Sequence, residues 1–244
     1  MTLACYINTE KIENAVIRVS DEIEKNKRKK NSWKKCSEDQ LWHELVSCIL
    51  GSRVRYEMAK ECTMHLQNKG LLAISQLVSN PRVFEMYITN ELNSPLYPPF
   101  VNGRGRRYPY PRSKSQYIIK TCLEIYKNNS TSIKQILRNS LDEKVARETF
   151  VKFCMGIGPK QASLFLRNIG YSENLAILDS HILYYMELKG LLENRRNIST
   201  LNEYYNHENI LLSYADSLNR SLATLDVAIW VVMRVIQKEF SKWV

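Results

Sequence analysis

The sequence predicts an all-α protein built from two helical domains, and three observations support this. Apolar residues recur at helical spacing through most of the 244 residues, and no convincing period-two run of the kind a strand needs is present. Helix-start and helix-stop residues punctuate that pattern. With 44% apolar residues the chain is long enough to bury a sizeable core, either as one large domain or as two smaller ones sharing a cleft.

The N-terminal third reads as successive helices. Residues 8–28 form an amphipathic pattern that ends in a basic run over 25–35, which is either a solvated linker or a phosphate-contacting surface; we favour the linker. A capping box over 37–40 starts a helix that continues to residue 50. After a turn that contains Arg53, further helices are expected over 54–68, 72–79 and 81–92.

Residues 93–113 interrupt the helical pattern. Five of the seven prolines lie in this segment, and arginines alternate there with aromatic residues. A long loop inside a helical domain is usually functional or disordered, and we favour a function because arginines beside aromatic rings suit phosphates and unstacked bases. The residues concerned are Arg104, Arg106, Arg107, Arg112, Tyr97, Phe100, Tyr108 and Tyr110.

Helices over 113–128, 131–139 and 142–154 lead to the segment that carries the chemistry. Gly156 and Gly158 flank Ile157, a pattern typical of a tight hairpin, and Pro159 suits the first turn of a helix. A hairpin that ends at a helix N-terminus directs free N–H groups and the positive end of the helix dipole to one place, which predicts a phosphate site. Lys160 lies at its mouth.

Asp179 completes the predicted site. The hairpin helix should end near residue 169 with Gly170 as its stop, and the nine residues that follow can span up to ~30 Å, enough to bring Asp179 back to Lys160. A partly desolvated amine at a helix N-terminus favours its neutral, nucleophilic form, and an opposing acid can accept its proton and stabilise a developing cation. That pairing suits attack on a sugar C1′.

Simpler interpretations of these residues remain open at this stage. Asp179 precedes a helical run and is a good N-cap, and we expect it to serve as cap and as acid. Lys160 could be a plain phosphate contact, although the aspartate at a matching distance favours catalysis. We expect His181 to hold the helix start by hydrogen bonding.

Gly156-Ile-Gly-Pro-Lys160, followed nineteen residues after the lysine by Asp179-Ser-His181, resembles the lysine-bearing, bifunctional helix-hairpin-helix DNA glycosylases. The segments 165–170 and 175–179 resemble the archaeal and bacterial 8-oxoguanine DNA glycosylases of the second type. The resemblance covers roughly residues 38–240 and implies a helical barrel over 38–172, a second domain from 1–37 plus 173–244, and double-stranded DNA with an oxidised base lying across the cleft between them.

The same resemblance implies residue roles. Lys160 would form a Schiff base with C1′ and Asp179 would assist, with no metal or organic cofactor in the chemistry, although a monovalent cation could bridge hairpin carbonyls and phosphate. Asp226, Trp230 and, as a second wall, Tyr108 would line the lesion pocket, which the C-terminal carboxylate of Val244 could also reach. The residues expected to face DNA are Gly156, Gly158, Arg53, Arg104, Arg106, Arg107 and Arg112. Of these, Arg53 would lie near the gap left by the extruded base or contact a phosphate.

Composition is consistent with this function. The balance of 35 Lys and Arg against 25 Asp and Glu gives a net charge of +10, which favours polyanionic partners. Six scattered cysteines suggest neither a zinc nor an iron–sulfur site, and no segment predicts a secretory core or a membrane span. We therefore expect a monomer in the cytoplasm or nucleoid. Two alternatives stay open: a bifunctional glycosylase for another oxidised base, and a non-catalytic hairpin module that only binds DNA.

Overall fold

The computed structural model describes residues 8–26, 32–97, 106–193 and 198–240. Within these ranges the chain forms twelve α-helices and one pair of very short strands, so the all-α class is confirmed. None of the described helices is long and apolar enough to cross a membrane. The chain folds as two compact units: residues 31–171, here called the hairpin unit, and residues 1–30 with 172–244, here called the terminal unit.

The hairpin unit contains eight of the helices, and each follows from the local signals in the sequence. Their bounds are α2 Glu38–Gly51, α3 Tyr56–Asn68, α4 Ile74–Ser79, α5 Pro81–Asn93, α6 Pro111–Leu123, α7 Ile133–Asn139, α8 Glu143–Phe153 and α9 Pro159–Asn168. A short 3₁₀ turn, Trp33–Lys35, precedes α2, and a π-helical turn, Glu124–Asn128, continues α6. The capping box predicted at Ser37 is present, with Gln40 as its partner.

The loop predicted over 93–113 is not wholly irregular. Strand β1, Pro95–Tyr97, pairs antiparallel with β2, Arg106–Arg107, a small element that the sequence did not predict. A pair of two or three residues is too short to show an alternating pattern. Residues 98–105, which include Phe100 and Arg104, lie outside the described part of the chain.

The core of the hairpin unit surrounds α2. Trp42 is fully buried and its indole N–H donates to the carbonyl of Leu72 at 3.0 Å. The helices that flank the hairpin, α8 and α9, pack through Phe150 and Phe165, whose rings are edge to face with their centroids 4.9 Å apart. Residues 31–37, which the sequence analysis placed with the second domain, belong to the hairpin unit, where Trp33 contacts the ring of Tyr171.

The terminal unit is a four-helix assembly with its own core. Its helices are α1 Thr9–Lys25, α10 Ser180–Leu188, α11 Leu201–Ser217 and α12 Leu222–Phe240. Val16, Tyr185, Leu211 and Ile229 are fully buried among them. Residues 172–179 contain neither helix nor strand; they form an irregular segment that leads into α10, and its backbone must find hydrogen-bond partners outside any regular element.

Candidate active site

Gly156 allows the hairpin between α8 and α9 to close. Its φ is +76°, and a Cβ at this position would lie 2.3 Å from Cδ2 of Tyr117, so both the backbone angle and the packing require glycine. Gly158 is the N-cap of α9, with an extended backbone at φ −101°, and a Cβ there would have no atom within 4 Å. The open space over Gly158 leaves room for a ligand backbone to approach.

Polar contacts fix the hairpin to the rest of its unit. The amide of Met155 donates to Oγ1 of Thr121, on α6, at 3.0 Å. Arg147, on α8, is fully buried and its Nη1 donates to Oγ of Ser163, on α9, at 3.1 Å. The two helices and the turn between them are therefore held as one rigid element, which a phosphate site needs.

Lys160 occupies the first turn of α9, as predicted. Its side chain is half-buried, and within the described ranges its Nζ forms no hydrogen bond or ion pair. The backbone amides of Lys160 and Gln161 also have no acceptor among the described residues, as expected for the first turn of a helix. The arrangement presents an amine and free N–H groups together at the positive end of a helix dipole.

Arg53 lies in the turn after α2 in a conformation that sequence alone does not predict. Its side chain is exposed and its φ is +64°, which is unusual for a residue with a side chain. Lys114 lies close behind this turn: its Nζ donates to the carbonyl of Ile49 at 2.6 Å, and burial, together with the nearby charge of Arg53, lowers the pKa of Lys114 to about 8. Lys114 was not among the predicted residues.

Tyr108 has a structural role in the hairpin unit that the sequence analysis did not foresee. Its ring is 2% exposed, its hydroxyl donates to the carbonyl of Leu50 at 2.6 Å, and burial raises its pKa. This bond satisfies one of the carbonyls at the end of α2, where a helix lacks internal partners. Because its ring is packed inside the unit, we leave Tyr108 out of the proposed lesion pocket.

The remaining predicted arginines of this unit lie on its surface where the structure describes them. Arg106 and Arg107 form β2 and are exposed, and Arg112 is exposed in the first turn of α6. Their positions are compatible with contacts to phosphates, which stay a prediction. The four terminal residues, including Val244, lie outside the described part of the chain.

In the terminal unit, Asp179 is the N-cap of α10. Its Oδ1 accepts the amides of His181 at 2.8 Å and Ile182 at 3.0 Å, so the predicted cap is present. Its Oδ2 accepts no hydrogen bond from the described residues, and the side chain is half-buried. The cap thus occupies one oxygen and leaves the other available for a second role. His181 contributes only its backbone amide, because its Nδ1 has no partner among the described residues.

Asp226 and Trp230 lie one turn apart on α12, as predicted. Asp226 is 3% exposed and its Oδ2 accepts the amide of Ile177 at 2.7 Å. Trp230 is half-buried, and the guanidinium carbon of Arg234 lies 4.8 Å from its ring centroid, so a cation rests over the indole. Arg234 was not foreseen, although its spacing of four residues from Trp230 predicts contact on a helix.

Residues 98–220 match the family model described as 8-oxoguanine DNA glycosylase. The 8-oxoguanine DNA glycosylase/AP lyase of Methanocaldococcus jannaschii is 30% identical over 221 residues, which are 91% of this chain and 92% of that protein. The chain belongs to this family. The resemblance identified from the hairpin, Lys160 and Asp179 is therefore confirmed at the level of the family.

Solved structures of family members have the same fold. A crystal structure of Methanocaldococcus jannaschii 8-oxoguanine DNA glycosylase superposes with a TM-score of 0.67 at 27% identity, covering 91% of each chain. A structure of the glycosylase/lyase from that organism in complex with a 15mer DNA containing 8-oxoguanine gives a TM-score of 0.66 at 24% identity, covering 88% of this chain and 95% of that one. The chain thus shares the fold of these structures across nearly its whole length.

Proposed function

We propose that this chain is a bifunctional DNA glycosylase and AP lyase of base excision repair, which removes 8-oxoguanine from double-stranded DNA and then nicks the strand. The observation that carries the proposal is the amine of Lys160. It lies in the first turn of α9 beside amides without acceptors, and has no ion-pair partner among the described residues. An amine held by no acceptor there, at the positive end of a helix dipole, is what a nucleophile at this position needs.

The reaction requires the damaged nucleotide to leave the base stack, because its C1′ cannot be reached inside a duplex. The lone pair of the Lys160 nitrogen then forms a bond to C1′ while the bond from C1′ to the base breaks and its electrons leave with the base. The nitrogen then loses one proton, and its lone pair opens the sugar ring while O4′ takes up a proton, which gives a protonated Schiff base. Removal of a C2′ proton expels the 3′ phosphate and cuts the strand.

Asp179 would act through the oxygen that the cap leaves available. Oδ2 can stabilise the cationic character that develops at the sugar and accept a proton from the amine, whereas Oδ1 stays bonded to two backbone amides. Those two bonds also fix the orientation of the carboxylate. The N-cap hydrogen bonds of Asp179 would therefore also orient its carboxylate for the reaction.

The lesion pocket is proposed at Trp230 and Asp226. A flat purine needs an aromatic face, and 8-oxoguanine differs from guanine by an N–H at N7 and an oxygen at C8, so an acceptor nearby can read the difference. Oδ2 of Asp226 also accepts the amide of Ile177, so any contact of this carboxylate with the base would be made alongside that bond. The hairpin amides and the exposed arginines Arg53, Arg106, Arg107 and Arg112 would contact phosphates.

Borohydride trapping tests the proposal. A duplex containing 8-oxoguanine should become covalently attached to the wild-type protein when borohydride reduces the Schiff base, and Lys160→Gln should abolish the adduct while retaining DNA binding. Lys152→Gln is the matched control, since Lys152 is an exposed lysine on the preceding helix and its loss removes the same charge. Trapping of Lys160→Gln at the wild-type level would refute the assignment of the nucleophile.

Substrate comparison separates the remaining alternatives. Trapping on a duplex with an oxidised pyrimidine but not on 8-oxoguanine would indicate a bifunctional glycosylase for another lesion. Binding to both duplexes without any adduct would indicate a module that only binds DNA. The proposal requires the adduct and free base to form on the 8-oxoguanine duplex.

A further inference from the structure

The irregular segment that precedes Asp179, residues 172–178, is held by buried side chains from two helices. Because it belongs to no sheet, its amides have no strand partner, yet four consecutive amides are satisfied. Glu208 Oε1 accepts the amide of Ala176 at 2.8 Å, and Asp226 Oδ2 accepts that of Ile177 at 2.7 Å. Such complete pairing of an irregular segment restricts its backbone to one conformation.

Tyr204 contacts the same segment twice. Its hydroxyl donates to the carbonyl of Ala176 at 2.7 Å and accepts the amide of Leu178 at 3.4 Å. The fourth amide, that of Asp179 itself, donates to the carbonyl of Ile177 at 2.7 Å. Each bond therefore lies within three residues of Asp179, and the last one ties the Asp179 backbone to a residue that is itself held.

The three side chains that hold this segment are buried; Tyr204 and Glu208 lie on α11, and Asp226 lies on α12. Glu208 is 1% exposed and Tyr204 is 3% exposed, and they lie one turn apart on α11. Satisfying a backbone amide requires only a neutral acceptor, and burying a carboxylate costs more than burying an amide or hydroxyl. A charged acceptor forms a shorter and stronger bond, which is useful where a position must be held tightly.

We propose that Tyr204 and Glu208 are positioning residues for the reaction, acting through Asp179. They fix the backbone from Ala176 to Leu178, and the cap at Asp179 then directs Oδ2 towards the reacting sugar. Neither residue touches the substrate in this role. The inference rests on the proposed function, because it assigns a purpose to the placement of Asp179 in that reaction.

Tyr204→Phe tests the proposal with the smallest change, since it removes one hydroxyl and keeps the ring. Tyr214→Phe is the matched control. Tyr214 is on the same helix, and its hydroxyl bonds to Glu13 at 2.5 Å and to Tyr185 at 2.9 Å, away from the segment before Asp179. Both changes remove a hydrogen-bonded hydroxyl from the terminal unit, so both lower thermal stability.

The readout is the single-turnover rate of base release from an 8-oxoguanine duplex, with the duplex Kd measured in parallel. Tyr204→Phe should lower the rate about tenfold, because small displacements of a catalytic group are costly, and Tyr214→Phe should stay near wild type. Kd should not change for either. A wild-type rate for Tyr204→Phe, or equal losses for the two variants, would overturn the proposal.

Coupling to Asp179 distinguishes positioning from a general loss of stability. In an Asp179→Asn background, Tyr204→Phe should cause no further loss, because the group it positions has already been disabled; independent effects would multiply. Glu208→Ala should behave like Tyr204→Phe, and Glu208→Gln, which keeps a neutral and weaker oxygen acceptor for Ala176, should recover part of the rate. A tenfold loss that persists in the Asp179→Asn background, or no recovery with glutamine, contradicts the role assigned.

The outcomes also separate this inference from the proposed function. If the wild-type protein releases no 8-oxoguanine, the proposed function fails. If the wild-type protein is active and Asp179→Asn is slow, but Tyr204→Phe is unimpaired, only the positioning role fails.

Discussion

Asp179 serves as a helix cap and, in the proposed reaction, as the carboxylate that accepts a proton and stabilises positive charge, and substitution can separate the two roles. Asn is as good an N-cap as Asp because its side-chain oxygen can accept the same amides. Asp179→Asn should therefore retain the bonds to His181 and Ile182, which are 2.8 and 3.0 Å long in the wild-type protein. The substitution removes the negative charge of residue 179 and keeps the N-cap geometry.

The expected magnitudes differ for stability and rate. Asp179→Ala loses the cap and should cost about 1 kcal/mol, or roughly 2–4 °C in Tm for a protein of this size. Asp179→Asn should leave Tm unchanged. Both variants should lose ~10²-fold or more in single-turnover excision of 8-oxoguanine, as expected when an electrostatic or general-base group is removed.

Thermal unfolding and single-turnover kinetics, measured on the same preparations, test this reasoning. Asp179→Ser extends the series, because serine also caps a helix but carries no carboxylate. It should match Asp179→Asn in having a near-native Tm and a low rate. Near-wild-type turnover in Asp179→Asn would show that Asp179 is only a cap and would remove the acid from the proposed mechanism.

Three further predictions concern the hairpin, the surface arginines and the pocket. Gly156→Ala should lower Tm, because a residue with a Cβ is strained at a φ of +76°. Gly158→Ala should leave Tm unchanged, because the backbone there is extended and the space around it is open. Equal Tm values for the two variants would refute the packing argument. Replacing Arg106 and Arg107 by Gln should reduce the slope of log binding against log salt by about 2, and an unchanged slope would show that β2 does not face DNA. Trp230→Ala should impair release of 8-oxoguanine much more than cleavage at a preformed abasic site, where no base has to be held; equal losses would place Trp230 in the fold rather than the pocket.

The parts of the molecule that sequence predicted well are those governed by local signals. The capping box at Ser37, the stop at Gly170 and the cap at Asp179 each depend on residues within four positions along the chain, and the structure contains all three. Helix bounds agree with the expected ranges within a few residues for the same reason. Amphipathic periodicity is a local property, so it predicts where a helix runs but not what it packs against.

Residues whose role depends on distant partners could not be predicted in this way. Tyr108 and Lys114 bond to carbonyls of α2 that lie 58 and 65 positions earlier in the chain. The sequence context of Tyr108, an arginine-rich and aromatic loop, suggested contact with a base, whereas the sequence analysis assigned no role to Lys114. In the structure both side chains are buried in the hairpin unit, where the carbonyls at a helix end need donors that the helix itself lacks. The positive φ of Arg53 could likewise not be predicted, because arginine as a residue type gives no indication of a left-handed backbone.

Asp226 shows why one residue should not be assigned a single function. Sequence placed it in the lesion pocket, and the structure adds a bond from its Oδ2 to the amide of Ile177, two residues before Asp179. Removing its carboxylate would therefore disturb the placement of Asp179 as well as any contact with the base. Trp230, on the same face of α12, has no such bond to the segment among the described residues. The loss of 8-oxoguanine release should consequently exceed the loss of abasic-site cleavage by a larger factor for a substitution of Trp230 than for one of Asp226. Trp230 is therefore the better probe of lesion recognition.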